Sequence, residues 1–461
     1  MKVHRSRSAS TPKVTTDGER LVTHAGAGML AEVADLSGLT AGLTSMFARA
    51  GHRWRVHDPG VTMVRAAVAI ADGMTNVSRV EGFCGSRPAI FDTPASRSTI
   101  GRAIYAFGDE QMPVRLDAVM ADTRTRVWDA AGYAPESVTV DVDATLLDVH
   151  SDKQDAAPTF KRGFGFHPLG MWLDETCEPL AMVFRPGNAG SNTAVDHCDV
   201  VMRSIDQLPA AYRAGHELGD NPDQVLHPIL VRSDSAGASK AFLAELVGRN
   251  IEFSVGFAVD TRVRALISAV DDDAWVSAVN TDGTARRGAQ VAEIAGLTGA
   301  DGWPAGSRLI CRREEPHPGA TLSLFDQING LRHTAMITNT VGGDIAELEL
   351  RHRRHARVED RIRCWKATGA VHQPAWDAGT NEAWLNTTLV AMTLIAWSQM
   401  IGFDGALKIA EPASFRTQVL HVAGQWATRG RRLHLHLDRN WPHTPVIAAA
   451  FTRIRTAFAY P

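Results

Sequence analysis

The sequence predicts an α/β protein in which helices cover a mixed β-sheet. Three observations predict this fold class. Residues 25–130 show helical periodicity with capping residues, residues 137–259 alternate strands and helices in the order β-β-β-α-β-α-β, and residues 260–340 hold short strands between Gly, Asp and Pro turns. We therefore expect an all-α N-terminal domain, a sheet core and a mostly β insertion within that core.

These patterns divide the 461 residues into six segments. We expect a disordered basic tail over residues 1–24 and a helical N-terminal domain over 25–130. The first part of the sheet core covers 131–259, the β-rich insertion 260–343, the second part of the core 344–405 and a C-terminal region 406–461. The tail has an alternative interpretation as an arm that touches nucleic acid.

Composition limits the class of protein. Hydrophobic residues make up 44% and charged residues 21%, as in soluble globular proteins, and the net charge of −3 predicts no partner. The five cysteines are scattered without a CxxC pair, which argues for reduced thiols in the cytoplasm. Polar side chains interrupt the apolar run 383–403, so a buried core helix is favoured over a membrane span.

The helical N-terminal region contains two features typical of DNA-binding domains. The stretch "AEVADLSGLT" (31–40) matches the first helix and turn of a helix-turn-helix. The stretch 93–107 predicts a basic amphipathic helix that carries Arg97 and Arg102, with Thr93 or Ser96 as its cap. A helical domain without a DNA-binding role is the alternative for both.

The first strand of the core carries two carboxylates. In "VTVDVDAT" (138–145), Asp141 and Asp143 lie two residues apart and therefore point to the same face. A third carboxylate, Asp234, follows the apolar run "ILV" in "ILVRSDSAGA" (229–238). Acidic residues at the carboxyl ends of strands are well placed for ligands, although a capping role for Asp234 is the alternative.

A long helix is predicted from Asp344, its N-cap, to Gly369. At 100° per residue one face carries His352, His355, Glu359 and Lys366, beside an apolar seam of Val358, Ile362 and Trp365. Basic residues crowd the helix. This pattern suits a helix that binds a polyanion lying across a metal site, and a salt-bridged surface helix is the alternative. The basic residues of the helix are Arg351, Arg353, Arg354, Arg357, Arg361, Arg363 and Lys366.

The predicted insertion contains four short strand patterns between turns. They are "VRALISAV" (263–270), "AWVSAVN" (274–280), "SRLICRRE" (307–314) and "HTAMITNTV" (333–341).

Together these motifs resemble the DDE triad of bacterial insertion-sequence transposases. The trio lies in "DVDAT", "RSDSAGA" and "RVEDRIRCWK", and the spacing from Glu359 to Lys366 matches the Glu-x6-Lys part of the "Y-x2-R-x3-E-x6-K" signature of the insertion sequence 4 superfamily. The phrases "HSDKQDAAPTFKRGFGFHPLG", "GNAGSNTA" and "WPAGSRLICRREEPHPGA" resemble its insertion sequence 1380 family. His352 and His355 stand where the signature has Tyr and Arg, so they are kept as candidate DNA or active-site contacts.

The resemblance implies an RNase H-like core and a metal-dependent active site. Asp143, Asp234 and Glu359 would hold two Mg²⁺ ions, for which Mn²⁺ would substitute, and Lys366 would contact DNA. The Asp-Ala-Thr pattern favours Asp143 over Asp141 as the first ligand. Other expected DNA contacts lie in the N-terminal domain, the insertion and the Glu359 helix: Arg97, Arg102, Trp303, Arg308, Arg312, Arg313, Arg351, His352, Arg354, His355 and Arg363. For Trp303 and Trp275, packing in the β-region is the alternative to stacking on DNA.

The function that follows is a DNA transposase that binds terminal inverted repeats, cuts the ends and joins the 3′-hydroxyls to target DNA. Its expected partners are double-stranded DNA and a second copy of the chain, and no membrane association is expected. Its expected location is the cytoplasm, in association with the nucleoid. The alternatives are an RNase H-like nuclease without strand transfer and a non-catalytic DNA-binding protein.

Overall fold

The computed structural model describes residues 20–52, 56–190, 193–296, 302–316, 326, 330–429 and 432–459. Most of the predicted basic tail, residues 1–19, therefore lies outside the described residues.

The N-terminal region is helical after one short strand. Its elements are β1 (Leu21–Val22), α1 (Ala27–Leu36), α2 (Leu39–Arg49), α3 (Pro59–Ala71), α4 (Val77–Gly85), α5 (Pro88–Phe91), α6 (Arg97–Phe107) and α7 (Met112–Ala131). Gly38, at φ 85°, turns the chain between α1 and α2. Of the two candidate caps of α6, the residue in use is Ser96, whose hydroxyl accepts a hydrogen bond from the Thr99 amide.

The core follows the predicted order of strands and helices. Its elements are β2 (Val138–Ala144), β3 (Leu147–Asp148), β4 (Ala157–Pro158), β5 (Phe164–Phe166), β6 (Leu169–Leu173), β7 (Pro179–Val183), α8 (Ala194–Asp206), α9 (Ala210–Arg213), β8 (Ile229–Ser233), α10 (Lys240–Gly248) and β9 (Glu252–Phe257). The main strands of the predicted β-β-β-α-β-α-β pattern are β2, β6, β7, β8 and β9.

The insertion region begins with a helix. Its elements are α11 (Thr261–Ser268), β10 (Val276–Val279), β11 (Ala285–Ile294), β12 (Arg308–Glu314) and β13 (Arg332–Thr338). The strand predicted over residues 263–270 is wrong, because Val263 and Ile267, four residues apart, are buried on one side of α11. Strand β11 was not predicted, since its first half is polar and exposed.

The remaining elements form the C-terminal part of the chain. They are α12 (Ile345–Arg353), α13 (Arg357–Trp365), α14 (Ala378–Gly402), α15 (Gly405–Lys408), α16 (Pro412–Phe415), β14 (Gly424–Arg429), β15 (Arg432–Leu437) and α17 (Thr444–Ala457).

The prediction of one continuous helix from 344 to 369 is wrong. A 3₁₀ turn at Arg354–Ala356 separates α12 from α13, and a π-helical turn at Lys366–Ala370 follows α13. The predicted start is confirmed, because Asp344 accepts hydrogen bonds from the next helical amides. At the other end Gly369 adopts φ 115°, a left-handed conformation that stops the helix.

Within the described residues, nine strands form one mixed sheet in the order β10-β11-β12-β13-β9-β8-β2-β6-β7. Strands β2, β8 and β9 are parallel, whereas β6 and β7 are antiparallel to their neighbours. Strand β13 pairs antiparallel with β9 from Ala335↔Phe257 to Thr338↔Ser254. The strands of the insertion therefore extend the core sheet.

Helix α14 is buried along nearly its whole length, as the sequence predicted for residues 383–403. Its interior threonines donate to helix carbonyls one turn back, for example Thr387 to Ala383 at 2.7 Å. Among the described residues, no helix is long and apolar enough to cross a membrane.

A buried ion pair ties α7 to the sheet and to α14. The Arg124 guanidinium donates to the Glu178 carboxylate at 2.7 Å, and both side chains are inaccessible to solvent. The indole nitrogens of Trp128 and Trp397 donate to the same carboxylate at 3.0 and 2.7 Å. Because every donor converges on one buried anion, this network fixes α14 across the sheet that carries the candidate site.

Candidate active site

Two of the three predicted carboxylates lie at the carboxyl ends of neighbouring parallel strands. Val142 on β2 pairs with Ser233 on β8, so Asp143 and Asp234 are the next residues on each strand. Adjacent strands are about 4.8 Å apart, which makes the two acids neighbours. Asp143 is half-buried, and the exposed Asp234 caps a 3₁₀ turn by accepting a hydrogen bond from the Ala236 amide at 2.9 Å.

Glu359 is supplied by α13, which packs against β2. The predicted seam is confirmed, since Val358, Ile362 and Trp365 are all buried, in a cluster that also includes Leu385 of α14. Glu359 lies beside this seam, as the helical periodicity predicted, and its side chain is exposed.

The three carboxylates lie within electrostatic range of one another. Burial, the largest cause, and the charges of Asp234 and Glu359 together raise the pKa of Asp143 to about 6, against the lowering effect of His355. The triad is not a tight cluster, because its three ligand atoms do not all lie within 4.8 Å of one another. It is an open group of oxygen donors with excess negative charge, and this donor set fits Mg²⁺ or Mn²⁺.

Asp141 has a different environment from Asp143. It is fully buried and accepts two hydrogen bonds from the guanidinium of Arg232, both at 2.8 Å. The two residues are direct partners in the β2–β8 register. His355 Nδ1 lies 2.9 Å from the same carboxylate, so Asp141 is already neutralised by protein groups.

The sequence alone did not identify the network around Asp141. Arg232 also pairs with Asp174 at 2.9 Å, and Asp174 in turn pairs with Arg361 at 3.1 Å. These side chains are all buried. The available signal was Arg232 itself, a charged residue inside the apolar run that precedes Asp234, because a buried charge requires a partner.

Both histidines of the predicted helical face point toward the sheet. His352 Nδ1 lies 3.0 Å from the Ser254 hydroxyl on β9, and His355 contacts Asp141 on β2. Burial lowers the pKa of His352 to about 3, so this side chain is neutral at physiological pH. His355 is the nearer of the two to the triad, since its charge acts on Asp143.

Lys366 lies in the π-helical turn and is half-buried. Burial lowers its pKa, while the carboxylates of Asp148 and Asp143 oppose this effect. The lysine is therefore within electrostatic range of the first triad residue.

Most of the basic residues expected to contact DNA form ion pairs within the chain. Arg308 pairs with Glu293 at 2.6 Å, Arg313 with Asp272 at 3.4 Å, Arg351 with Glu252 at 3.3 Å, Arg363 with Glu411 at 2.7 Å, and Arg312 with Glu349. Arg354 is half-buried in the turn between α12 and α13. Of these, Arg363 is the most exposed, with 55% of its side chain accessible.

The basic residues of α6 are exposed on one helix. Arg97 donates to the Ser78 hydroxyl at 3.2 Å, and Arg102 donates to Thr99 one turn back at 3.1 Å. Both guanidinium groups therefore carry their charge at an exposed surface of one helix.

The two candidate tryptophans are packed to different extents. Trp275 is buried beneath the guanidinium of Arg313, 4.3 Å from the ring centre. Trp303 is half-buried, edge-on to Phe257 at 5.1 Å, with the Lys240 ammonium 5.5 Å from its ring. Trp303 is the more accessible of the two rings.

The fold and the acidic trio define a mixed α/β protein with carboxylates gathered at the strand ends of its sheet. Its sequence matches the family Transposase DDE domain group 1 over residues 5–459. The chain therefore belongs to the DDE transposases, a family of DNA-processing enzymes.

Two further comparisons complete this result. No curated protein matches the sequence. Among solved structures, the chain is similar to the piggyBac transposase in a synaptic complex with hairpin DNA. The two are 10% identical, the similarity covers 85% of this chain and 80% of the other, and the TM-score is 0.41.

Proposed function

We propose that this protein is a cut-and-paste transposase of an insertion sequence, with Asp143, Asp234 and Glu359 as its catalytic triad. The observation that carries the proposal is the proximity of these three acidic side chains. Two follow paired positions on parallel strands, the third lies on the helix that packs against β2, and both partners raise the pKa of Asp143. Such uncompensated charge is expected where a cation binds.

The core is proposed to be RNase H-like. The order β7-β6-β2-β8-β9, with three parallel strands and two antiparallel ones, supports this assignment. The quoted sequence phrases support the insertion sequence 1380 family as the closer group. A cytoplasmic place beside the nucleoid, a homodimer that holds two transposon ends and binding of double-stranded DNA belong to the same proposal.

The three carboxylates would hold the divalent ions, which when bound activate water or a 3′-hydroxyl and stabilise charge on the attacked phosphate. Asp143 is the member of the trio on which both other carboxylates act electrostatically, so it would hold the ions together with Asp234 and Glu359. Lys366 would hold a DNA phosphate or base near the scissile bond. The Asp141–Arg232 pair would fix the direction of β2, and thereby the position of Asp143.

The DNA-binding surface is proposed to include α6 and the outer side of α13. Arg97, Arg102 and Arg363 are exposed there, whereas the side chain of Arg312 is only 12% exposed. Trp303 is the proposed stacking residue of the insertion because it is more accessible than Trp275.

The test is cleavage of DNA that carries the inverted repeats flanking the gene. Asp143→Asn, Asp234→Asn and Glu359→Gln should each abolish Mg²⁺- or Mn²⁺-dependent nicking while end binding persists. Asp360→Asn is the matched control, because Asp360 is an exposed acid on the same helix and should leave nicking intact. Near-normal cutting by a triad variant would remove that residue from the triad.

Two further outcomes separate the alternatives. Pre-cleaved ends should be joined to target DNA, and cutting without any joined product would favour a nuclease. End binding without nicking under any divalent ion would favour a non-catalytic DNA-binding protein.

A further inference from the structure

A second group of side chains with the ligand types of a metal site lies on other elements of the fold. His24 precedes α1, Asp72 directly follows α3, and His421 follows the π-helical turn Arg416–Leu420. Each offers one ligand atom, and these atoms all lie within 4.8 Å of one another. No other trio of His, Cys, Asp and Glu meets this distance in the described part of the chain.

The geometry centres on the carboxylate. His24 Nδ1 is 2.5 Å from Asp72 Oδ1, and His421 Nε2 is 3.3 Å from the same oxygen. The two imidazole rings are 4.1 Å apart between centroids. Asp72 has no exposed side-chain surface, whereas the histidines are 25% and 30% exposed, so an ion can reach the trio from the histidine side.

The trio leaves hydrogen-bonding capacity unused. Asp72 Oδ2 and His421 Nε2 are both buried and neither has a hydrogen-bond partner. The 3.3 Å approach of His421 to Asp72 is close enough for electrostatic attraction without forming a hydrogen bond. Unpaired buried polar atoms are costly, so two of them at one point indicate a missing ligand.

Two nearby guanidinium groups donate from Nε to backbone carbonyls, and Nη2 of Arg416 is itself buried without a hydrogen-bond partner. Asp72 acts electrostatically on both Arg87 and Arg416. However, Arg87 Nε donates to the carbonyl of Thr23 at 2.9 Å, and Arg416 Nε donates to the carbonyl of Ala71 at 3.0 Å. Their hydrogen bonds hold the backbone on both sides of the trio, while Oδ2 of Asp72 remains without a donor.

The backbone at the site is held in unusual conformations. His24 has φ 57°, in the left-handed region that a residue with a side chain rarely adopts. Gly73, immediately after Asp72, has φ 108°. Glycine adopts such a φ freely, whereas strain at His24 persists only where the surrounding structure fixes it.

We propose that His24, Asp72 and His421 form a binding site for a divalent transition-metal ion, with Zn²⁺ as the best fit. Imidazole nitrogen and carboxylate oxygen are ligands of Zn²⁺, and a site with three protein ligands leaves a fourth position for water. The ion would join the segment before α1, the end of α3 and the turn before β14. This proposal does not depend on the proposed transposase activity.

The experiment measures the metal bound to the full-length protein, which is prepared without a histidine tag. The protein is dialysed against a solution that contains Zn²⁺ and a molar excess of Mg²⁺ over Zn²⁺. Wild type should retain about one Zn²⁺ per chain, and Co²⁺ in its place should give visible absorption bands of a tetrahedral site. His421→Gln and His24→Gln should each weaken binding roughly 100-fold or more. Both replaced side chains are partly exposed, so these variants should fold even if one at the buried Asp72 does not.

Matched controls separate this site from others on the chain. His372→Gln replaces an exposed histidine outside the trio and should retain the metal. Asp143→Asn should also retain it, because that change alters only the acidic triad. A second readout is the thermal midpoint, which Zn²⁺ should raise in wild type and not in His24→Gln.

Three results would overturn the proposal. The first is wild-type protein that holds no more Zn²⁺ than His421→Gln. The second is Co²⁺ absorption that survives His421→Gln but disappears when the exposed pair His434 and His436 is replaced. The third is a wild-type thermal midpoint that is equal with and without Zn²⁺. In that case Nη2 of Arg416 would donate to Asp72 and satisfy the carboxylate without metal.

Discussion

At the scale of single residues, Asp141 and Asp143 show how one strand face can serve two purposes. Strand periodicity places both on the same face, and therefore cannot separate them. The register of β2 against β8 separates them, because it puts Arg232 directly opposite Asp141. The sequence motif favoured Asp143 on a resemblance, and the structure adds the physical reason that Asp141 is already paired.

Asp141→Asn should destabilise the protein by about 3–5 kcal/mol, since it leaves the buried Arg232 without full compensation. Urea unfolding followed by tryptophan fluorescence measures the change. The exposed Asp360→Asn serves as control and should stay within about 0.5 kcal/mol of wild type. A loss below about 1 kcal/mol for Asp141→Asn would contradict a structural role for the pair.

His352 predicts an acid-sensitive component of stability. Its pKa falls from 6.5 to about 3 on folding because of burial, so the unfolded chain binds the extra proton first. Stability from this group is complete above pH 6.5 and is lost as the pH falls toward 3, by at most about 1.4 kcal/mol per pH unit.

The measurement compares the free energy of unfolding of wild type and His352→Gln between pH 7 and pH 4.5. The variant should lose less stability on acidification, while the other histidines titrate equally in both proteins. Parallel pH profiles would show that His352 does not remain neutral in the folded state.

At the scale of elements, local patterns predicted the core better than its junctions. The strands β2, β6, β7, β8 and β9 and the caps Ser96 and Asp344 follow from alternation and capping chemistry. The 3₁₀ turn Arg354–Ala356 was not predictable, because His355 within it and the flanking Arg353 and Arg357 are fixed by hydrogen bonds to distant residues. The trio His24, Asp72 and His421 was also beyond sequence analysis, since its members are remote in the chain.

Gly369→Ala should destabilise the turn that carries Lys366 by about 1–3 kcal/mol. An added Cβ would meet its nearest neighbour, Ile70, at 3.7 Å, so the cost comes from φ 115° and not from a clash. Gly82→Ala in α4 is the matched control, because its Cβ meets nothing within 4 Å and the helix should gain about 0.5–1 kcal/mol. Denaturant unfolding should therefore give opposite signs, and equal effects would contradict strain at Gly369.

At the scale of the whole molecule, one hydrophobic core joins the N-terminal helices to the sheet. Val68 of α3, Val231 of β8 and Leu394 of α14 belong to the same buried cluster. The predicted boundary near residue 130 does not separate two hydrophobic cores. It stays a prediction about where the DNA-binding function ends. A DNA-binding surface on α6 would therefore be coupled mechanically, through this shared packing, to the strand that carries Asp143.

This continuity predicts that the N-terminal helices and the sheet unfold together. Val68→Ala and Val231→Ala each remove buried methyl groups, cost about 2 kcal/mol and should lower the midpoint of the same calorimetric transition. Val195→Ala, at a side chain on α8 that is 76% exposed, is the control and should leave that midpoint unchanged. If Val68→Ala instead lowers a transition that Val231→Ala does not move, the helical region folds as an independent unit and the coupling argued here does not exist.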